Sequence, residues 1–179
     1  VSAKRLTKTI KLIGTIQAKR STYLVAQESG ILKHTNPAGK KLNKGDIIAA
    51  INNPDIEKGY LLAKNLEKIA KTNFDRQTAL FDKKLASARI EEEARNAFIE
   101  SQRASALAKI NYDKTLFTAP FDGVIGMYKV REGSFVQTGD NIGIFYDPSE
   151  LIIEFDISAS ILKHLSDKPS IQVDGRSFI

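Results

Sequence analysis

An internal repeat, interrupted by a long helix-forming stretch, is the feature that most constrains how this chain can fold. Residues 26–48 contain Ala, then Gly four positions later, then Gly-x-x-apolar-x-x-Gly-Asp and a short apolar run. Residues 119–142 repeat these features with a one-residue difference in spacing. One copy cannot bury its own apolar face, whereas two copies can form a flattened β-sandwich around one core. The sequence therefore predicts two half-motifs that fold as one unit.

Glycines recur at matching places in the two copies. Tight turns need a positive φ, which glycine adopts without steric cost. The Gly-Asp pair in each copy is typical of a turn before the next strand. We therefore predict six structural turn glycines: Gly30, Gly39, Gly45, Gly123, Gly133 and Gly139.

The stretch between the copies favours helix. Residues 55–114 contain no proline and, after Gly59, no glycine, and good helix formers dominate them. Two rows of residues step alternately by four and three positions, which indicates coiled-coil packing of a row of large residues against a row of mostly small ones. These rows are Leu62, Leu66, Ile69, Asn73, Arg76 and Leu80, and Ile90, Ala94, Ala97, Ser101, Ala104, Ala108 and Asn111.

A break near residues 83–87 predicts an antiparallel hairpin rather than one continuous helix. Lys83 and Lys84 suit the negative pole of a helix end. Ser87 is a candidate N-cap, and residues 91–93 are acidic, as the start of a helix prefers. The alternative is a single helix through the whole stretch, because Ser87 is the only strong breaker.

Both ends of the chain show the alternation of half-buried strands. Residues 9–18 place apolar side chains at alternate positions, and so do residues 151–157. Residues 158–165 could follow as a short helix capped by Ser158 or Ser160.

Composition argues against several classes of function. The chain has no cysteine, and its two histidines, His34 and His164, lie far apart in sequence. A catalytic triad, a metal site and a bound cofactor are therefore not expected, and we predict that the chain is not an enzyme. The net charge is +6, but the bases are interleaved with strand-like apolar residues and lack the pattern of nucleic-acid modules. We expect no nucleic-acid partner.

The two half-motifs resemble those of the biotinyl/lipoyl carrier domain. Division of that domain by a helical hairpin resembles the periplasmic adaptors, or membrane fusion proteins, of the HlyD-like family. Residues 119–125 (Ala-Pro-Phe-Asp-Gly-Val-Ile) resemble the family's entry into its second half-motif, and residues 147–151 resemble its exit into a β-barrel domain.

This resemblance implies an α+β fold. Residues 19–53 and 116–150 would form a lipoyl-like β-sandwich, split by an antiparallel α-helical coiled-coil hairpin of residues 54–115. Residues 1–18 and 151–179 would form part of a β-barrel domain. Family members continue past this point, so the resemblance also implies a fragment with an incomplete barrel.

In function, the resemblance implies a periplasmic adaptor of a tripartite efflux or secretion pump, attached to the inner membrane in the full-length protein. Its partners would be an inner-membrane transporter, a TolC-like outer-membrane channel and further copies of itself in a ring, a hexamer in the assembled pump. The hairpin length is similar to that of resistance-nodulation-division efflux adaptors. Alternatives are a lipoyl or biotin carrier domain of an enzyme complex and a stand-alone coiled-coil scaffold.

Three residues near the predicted hairpin tip match the spacing of adaptors that dock on TolC-like channels. Arg76, Leu80 and Ser87 form the pattern Arg-x-x-x-Leu-x-x-x-x-x-x-Ser. Arg76 and Leu80 are four residues apart and so share one helix face, while Ser87 starts the second helix. The resemblance implies that these residues bind the channel. Taken singly, Leu80 could be only a coiled-coil residue and Ser87 only an N-cap.

Overall fold

A computed structural model describes residues 11–158, 171–173 and 176–178. The chain divides into two compact units, one of residues 20–148 and one of residues 1–19 with 149–179.

The larger unit contains a β-sandwich in which the two half-motifs interlock. Its sheets have the strand orders β2-β9-β7-β4 and β6-β5-β3-β8, so each half-motif contributes strands to both sheets. The two sheets correspond strand by strand: β2, β9, β7 and β4 in one sheet have the counterparts β6, β5, β3 and β8 in the other, in the same order. The strands are β2 (Ser21–Val25), β3 (Gly30–Lys33), β4 (Lys41–Leu42), β5 (Ile47–Asn52), β6 (Leu116–Thr118), β7 (Gly123–Tyr128), β8 (Phe135–Val136) and β9 (Asn141–Tyr146).

A single apolar core lies between the two sheets. Its largest fully buried side chains come from both half-motifs, and none of the clustered core residues lies between residues 54 and 114. This arrangement confirms the predicted α+β fold, a sandwich split by a helical insertion. The largest buried side chains are Phe145, Leu32, Ile48, Ile125, Ile142 and Val136.

Matching turns connect the two half-motifs. Gly45 N–H donates to the Ala119 carbonyl and Gly139 N–H donates to the Ala26 carbonyl, both at 2.8 Å. Gly45 and Gly139 have φ of +92° and +98°, and Gly39 also has a positive φ, +84°. A side chain in this left-handed region would be strained. Gly133, the counterpart of Gly39, has φ +88°.

The turn role predicted for Gly30 and Gly123 is wrong. Each is the first residue of a strand, and neither has a positive φ. A Cβ on Gly30 would lie 2.7 Å from the Asn52 carbonyl oxygen, and one on Gly123 would lie 2.6 Å from that of Tyr146. Close approach of a neighbouring strand, rather than turn geometry, therefore requires glycine at these two positions.

The insertion is an antiparallel helical hairpin, as predicted. Helix α1 spans Pro54–Asp82 and helix α2 spans Ala88–Asp113. Asn53 caps α1 by accepting from the Ile56 amide, and Pro54 occupies the first turn, where its missing N–H is tolerated. At 1.5 Å per residue the 29 residues of α1 extend about 43 Å.

Aromatic pairs align the two helices. Tyr60 stacks on Tyr112 with ring centroids 5.3 Å apart, and Phe74 stacks on Phe98 at 5.9 Å. The buried and half-buried residues that line the contact between the helices also recur at heptad spacing. They are Ile56, Tyr60, Ala63, Glu67, Ala70, Phe74 and Gln77 in α1, and Glu91, Ala94, Phe98, Ser101, Ser105, Ala108 and Tyr112 in α2.

The row predicted for the contact in α1 is wrong over its first half, whereas Asn73 and Leu80 further along it are half-buried. Leu62, Leu66 and Ile69 are 62%, 52% and 66% exposed. In α2 the prediction is right only in part, because Ala94, Ser101 and Ala108 face α1 whereas Ile90, Ala97, Ala104 and Asn111 are exposed. The sequence contains two overlapping heptad rows, and the one with the stacking aromatic rings forms the contact.

The smaller unit contains two antiparallel strand pairs. Strand β1 (Gly14–Ala18) pairs with β10 (Leu151–Phe155), with Ile16 opposite Ile153, and β11 (Ile171–Val173) pairs with β12 (Arg176–Phe178). The short helix predicted over residues 158–165 lies outside the described residues except for Ser158. That this unit belongs to a β-barrel stays a prediction.

Candidate docking surface at the hairpin tip

The end of α1 closes through two backbone hydrogen bonds. Leu85 N–H donates to the Leu80 carbonyl at 2.9 Å, and Lys84 N–H donates to the Phe81 carbonyl at 2.8 Å. This is the pairing of a Schellman motif, in which the residue after the C-cap is left-handed. Lys84 has φ +61°, a conformation that usually favours glycine.

Helix α2 begins with an N-cap at Ser87. Its hydroxyl accepts from the Ile90 amide at 3.4 Å, and its backbone is extended, with φ −82° and ψ 153°. The Ser87 hydroxyl satisfies one of the free amides of the first turn. The turn between the helices is therefore short, and both of its ends are fixed by hydrogen bonds.

The three predicted docking residues occupy this end of the hairpin. Arg76 is exposed, and its Nη2 donates to Asn73 Oδ1 at 2.7 Å. Leu80 is half-buried and lies one turn further along the same flank of α1. Ser87 is exposed and lies beyond the turn. The hairpin thus places all three near its free end, and their binding role stays a proposal.

Sequence reasoning missed two apolar side chains at the tip. Leu85 is 73% exposed, and Phe81 is 41% exposed. They flank Asp82, Lys83 and Lys84, which are also exposed. An apolar residue in a short turn, directly after the two lysines that follow α1, is a signal that could have identified Leu85. The tip therefore presents apolar and cationic groups together.

An ion pair between a buried carboxylate and a half-exposed arginine lies close to the tip. Glu91 is buried, and its Oε1 accepts from Arg95 Nη2 at 2.8 Å and from the Thr78 hydroxyl at 3.5 Å. The Arg95 guanidinium also lies 5.8 Å from the centre of the Phe74 ring. Because a buried carboxylate needs such partners, this cluster opposes sliding of α1 along α2.

The hairpin root is tied to the sandwich. Asn53 Nδ2 donates to the Ser29 carbonyl at 3.0 Å, and Ile51 N–H donates to the Thr115 carbonyl at 2.8 Å. Thr115 is buried, and its hydroxyl donates to the Tyr112 carbonyl at 2.7 Å. These bonds hold the ends of the two helices side by side where they leave the sandwich.

Among the described residues, no group of three or more His, Cys, Asp or Glu side chains is placed to hold a metal ion. No helix in the described part of the chain combines the length and the hydrophobicity that a membrane span requires.

Comparison with known proteins finds relatives over most of the chain, although no family model matches. The cobalt-zinc-cadmium resistance protein CzcB of Cupriavidus metallidurans is 27% identical over 172 residues, which are 85% of this chain and 33% of CzcB. The chain spans about half or less of the length of the curated relatives it matches.

Solved structures resemble the chain in fold. A MacA-MexA chimera carrying the Pseudomonas aeruginosa MexA α-hairpin domain is 27% identical, with a TM-score of 0.70 over 84% of this chain and 56% of the chimera. The membrane fusion protein Spr0693 of Streptococcus pneumoniae is 17% identical, with a TM-score of 0.58 over 86% of this chain and 70% of its own, and shows the fold alone. Together with the interlocked half-motifs and the hairpin between them, these likenesses show that the chain resembles membrane fusion proteins of the periplasmic adaptor type.

Proposed function

We propose that this chain is part of the adaptor subunit of a tripartite efflux pump, joining an inner-membrane transporter to a TolC-like outer-membrane channel. The observation that carries the proposal is the hairpin: it extends about 43 Å along α1 and ends in an exposed tip of apolar and cationic groups. A protein that spans a gap between two membranes needs such an extended, stiff element. The full-length protein would lie in the periplasm, attached to the inner membrane.

At the tip, Arg76, Leu80 and Ser87 would contact the channel. The guanidinium of Arg76 can donate two hydrogen bonds to carboxylates or backbone carbonyls at a channel mouth. Leu80 offers an apolar contact one turn away, and the Ser87 hydroxyl can donate a hydrogen bond while it caps α2. Exposed Leu85 would add apolar area at the end of the hairpin.

The sandwiches would associate side by side into a ring, a hexamer in the assembled pump, from which the hairpins project. The hairpin length favours a transporter of the resistance-nodulation-division type. We propose no catalytic activity and no covalent cofactor. A lipoyl or biotin carrier needs a lysine on a tight turn between its half-motifs, and the hairpin stands there between β5 and β6 instead.

Export in living cells tests the docking role. Full-length adaptor is returned to a deletion strain, and export is measured for the wild type, Arg76→Asp and Ser87→Arg. Arg103→Asp is the matched control, since Arg103 is also an exposed helical arginine but lies away from the tip. Ser87→Asn, which preserves an N-cap acceptor, separates capping from docking.

We expect at least a tenfold loss of export in Arg76→Asp and Ser87→Arg, consistent with about 1.4 kcal/mol or more of lost binding free energy. Arg103→Asp should retain wild-type export. Wild-type export in both tip variants at normal protein levels would remove the tip from the mechanism.

A further inference from the structure

Two heptad rows of α1 compete for its inner face. One row, which includes Phe74 and Gln77, packs on α2. The other row, which includes Ile69, Arg76 and Leu80, lies roughly a third of a turn away around the same helix. Both rows have the spacing that a contact between two helices needs. A rotation of α1 about its own axis would therefore exchange one row for the other.

The second row contains two of the proposed docking residues. Arg76 is exposed and Leu80 is half-buried. If α1 rotated until the second row faced α2, both side chains would point into the contact between the helices. The rotation of α1 thus decides whether the tip can present Arg76 and Leu80 to a partner. The consequence for docking rests on the proposed function, whereas the rotation itself does not.

Glu91 of α2 makes a polar contact that opposes this rotation. It is 8% exposed, and its Oε1 accepts from the Thr78 hydroxyl at 3.5 Å. By heptad position, Thr78 flanks the inner row of α1 on the side away from Arg76. A rotation that brings Arg76 inward would carry Thr78 away from α2 and break this hydrogen bond.

Arg95 extends the cluster to an aromatic ring of the inner row. Its Nη2 donates to Glu91 Oε1 at 2.8 Å, and its guanidinium lies 5.8 Å from the centre of the Phe74 ring. The Thr78 hydrogen bond and the cation–ring contact both connect α2 to α1. Both would be lost together if α1 rotated.

A carboxylate is costly to bury in a helix contact. Replacement of a buried ion pair by apolar side chains is often neutral or stabilising, so stability alone does not explain Glu91. A buried polar group can instead select one helix packing among several of similar hydrophobicity. We propose that Glu91 is a positioning residue, which fixes the rotation of α1 that keeps Arg76 and Leu80 at the surface.

Cysteine labelling of the 179-residue chain measures the rotation directly. The chain has no cysteine of its own, so a maleimide reports only an introduced Arg76→Cys or Gln77→Cys. In a Glu91→Met background we expect labelling to slow about fivefold at position 76 and to quicken about fivefold at position 77. Glu91→Gln keeps an acceptor for Thr78 and Arg95 and should label as the wild type does.

The fold and the thermal midpoint are measured on the same variants. The Arg95 side chain is 56% exposed, so it stays hydrated when its partner is removed. Glu91→Met should therefore keep its helical circular dichroism and a thermal midpoint at or above that of the wild type. Faster labelling at both positions would show a loosened hairpin instead of a rotated helix. That result, or unchanged labelling at both positions, would overturn the proposal.

Export by the full-length adaptor tests the consequence for docking. Glu91→Met should lower export about tenfold, whereas Glu91→Gln should retain it. Glu100→Met is the matched control, because it removes an exposed glutamate that pairs with Arg103 of the same helix at 3.8 Å, and it should leave export unchanged. Loss of export without the opposite changes in labelling would contradict the positioning role. Opposite changes in labelling with wild-type export would support that role and refute the docking of Arg76 and Leu80.

Discussion

At the scale of single residues, glycine serves two distinct purposes in this chain. At Gly45 and Gly139 it permits a left-handed backbone, and at Gly30 and Gly123 it makes room for a neighbouring strand. The sequence repeat identified the matched positions but not this difference, because a repeat shows which residues correspond and not which strands approach one another.

Replacement of glycine by alanine should have opposite effects at two sites. In Gly30→Ala the new methyl group would lie 2.6 Å from Ile51 Cγ2 and 2.7 Å from the Asn52 carbonyl oxygen. We expect this overpacking to lower the free energy of unfolding by about 2 kcal/mol. Gly59 lies inside α1 with nothing within 4 Å, so Gly59→Ala should raise it by about 0.5–1 kcal/mol. Urea unfolding measures both changes, and equal signs would contradict this interpretation.

A carboxylate contact between the half-motifs should make stability depend on pH. The Thr35 amide donates to Glu132 Oε2 at 3.1 Å and the Thr35 hydroxyl at 2.8 Å, and these bonds lower the pKa of Glu132 from its ordinary 4.5. The folded state therefore binds fewer protons than the unfolded state in acid. The contribution is present above the ordinary pKa and is lost as the pH falls through the lowered one.

Comparison with Glu132→Gln isolates this effect. The stability advantage of the wild type over the variant should shrink as the pH falls from about 6 to about 3, in unfolding curves recorded at each pH. Because Glu132 is exposed, the advantage is small even at its largest. An advantage that grows in acid would show that the carboxylate is not held ionised by Thr35.

At the scale of elements, the existence of the hairpin could be predicted but its orientation could not. The absence of proline, the break at residues 83–87 and the N-cap at Ser87 are local signals, and they predicted both helices. Which heptad row faces inward is decided by a competition between rows of similar hydrophobicity. The Tyr60–Tyr112 and Phe74–Phe98 stacks decide which row it is. These pairs can be recognised only when it is known which residues of the two helices lie side by side.

The sandwich should fold without the hairpin. Its core cluster draws on residues before Asn53 and after Lys114, and the Ile51–Thr115 hydrogen bond brings the two ends of the insertion together. Replacing residues 56–113 by a short Gly/Ser linker should therefore preserve a cooperative thermal transition, since a short loop closes such a gap at small entropic cost. A broad, non-cooperative transition in calorimetry would show that the hairpin is part of the folding unit.

At the scale of the whole molecule, the interlocked repeat and the hairpin together specify an element that reaches outward from a rigid base. Each half-motif contributes strands to both sheets, so the base cannot separate into halves without losing its core. The hydrogen bonds of Asn53 and Ile51 join the hairpin to that base. The order of the repeat could be predicted from the sequence, whereas the exposure of Leu62, Leu66 and Ile69 became visible only in the structure.

Contact between the hairpin tip and the outer-membrane channel is the central claim, and photo-cross-linking in cells tests it most directly. Benzoylphenylalanine is placed at Leu85, which is 73% exposed at the tip, or at Arg103 as a control on the exposed surface of α2, and both full-length variants are expressed beside the channel. We predict an adaptor–channel adduct from position 85 and none from position 103. No adduct from position 85, or equal yields from the two positions, would contradict the docking of this hairpin on the channel.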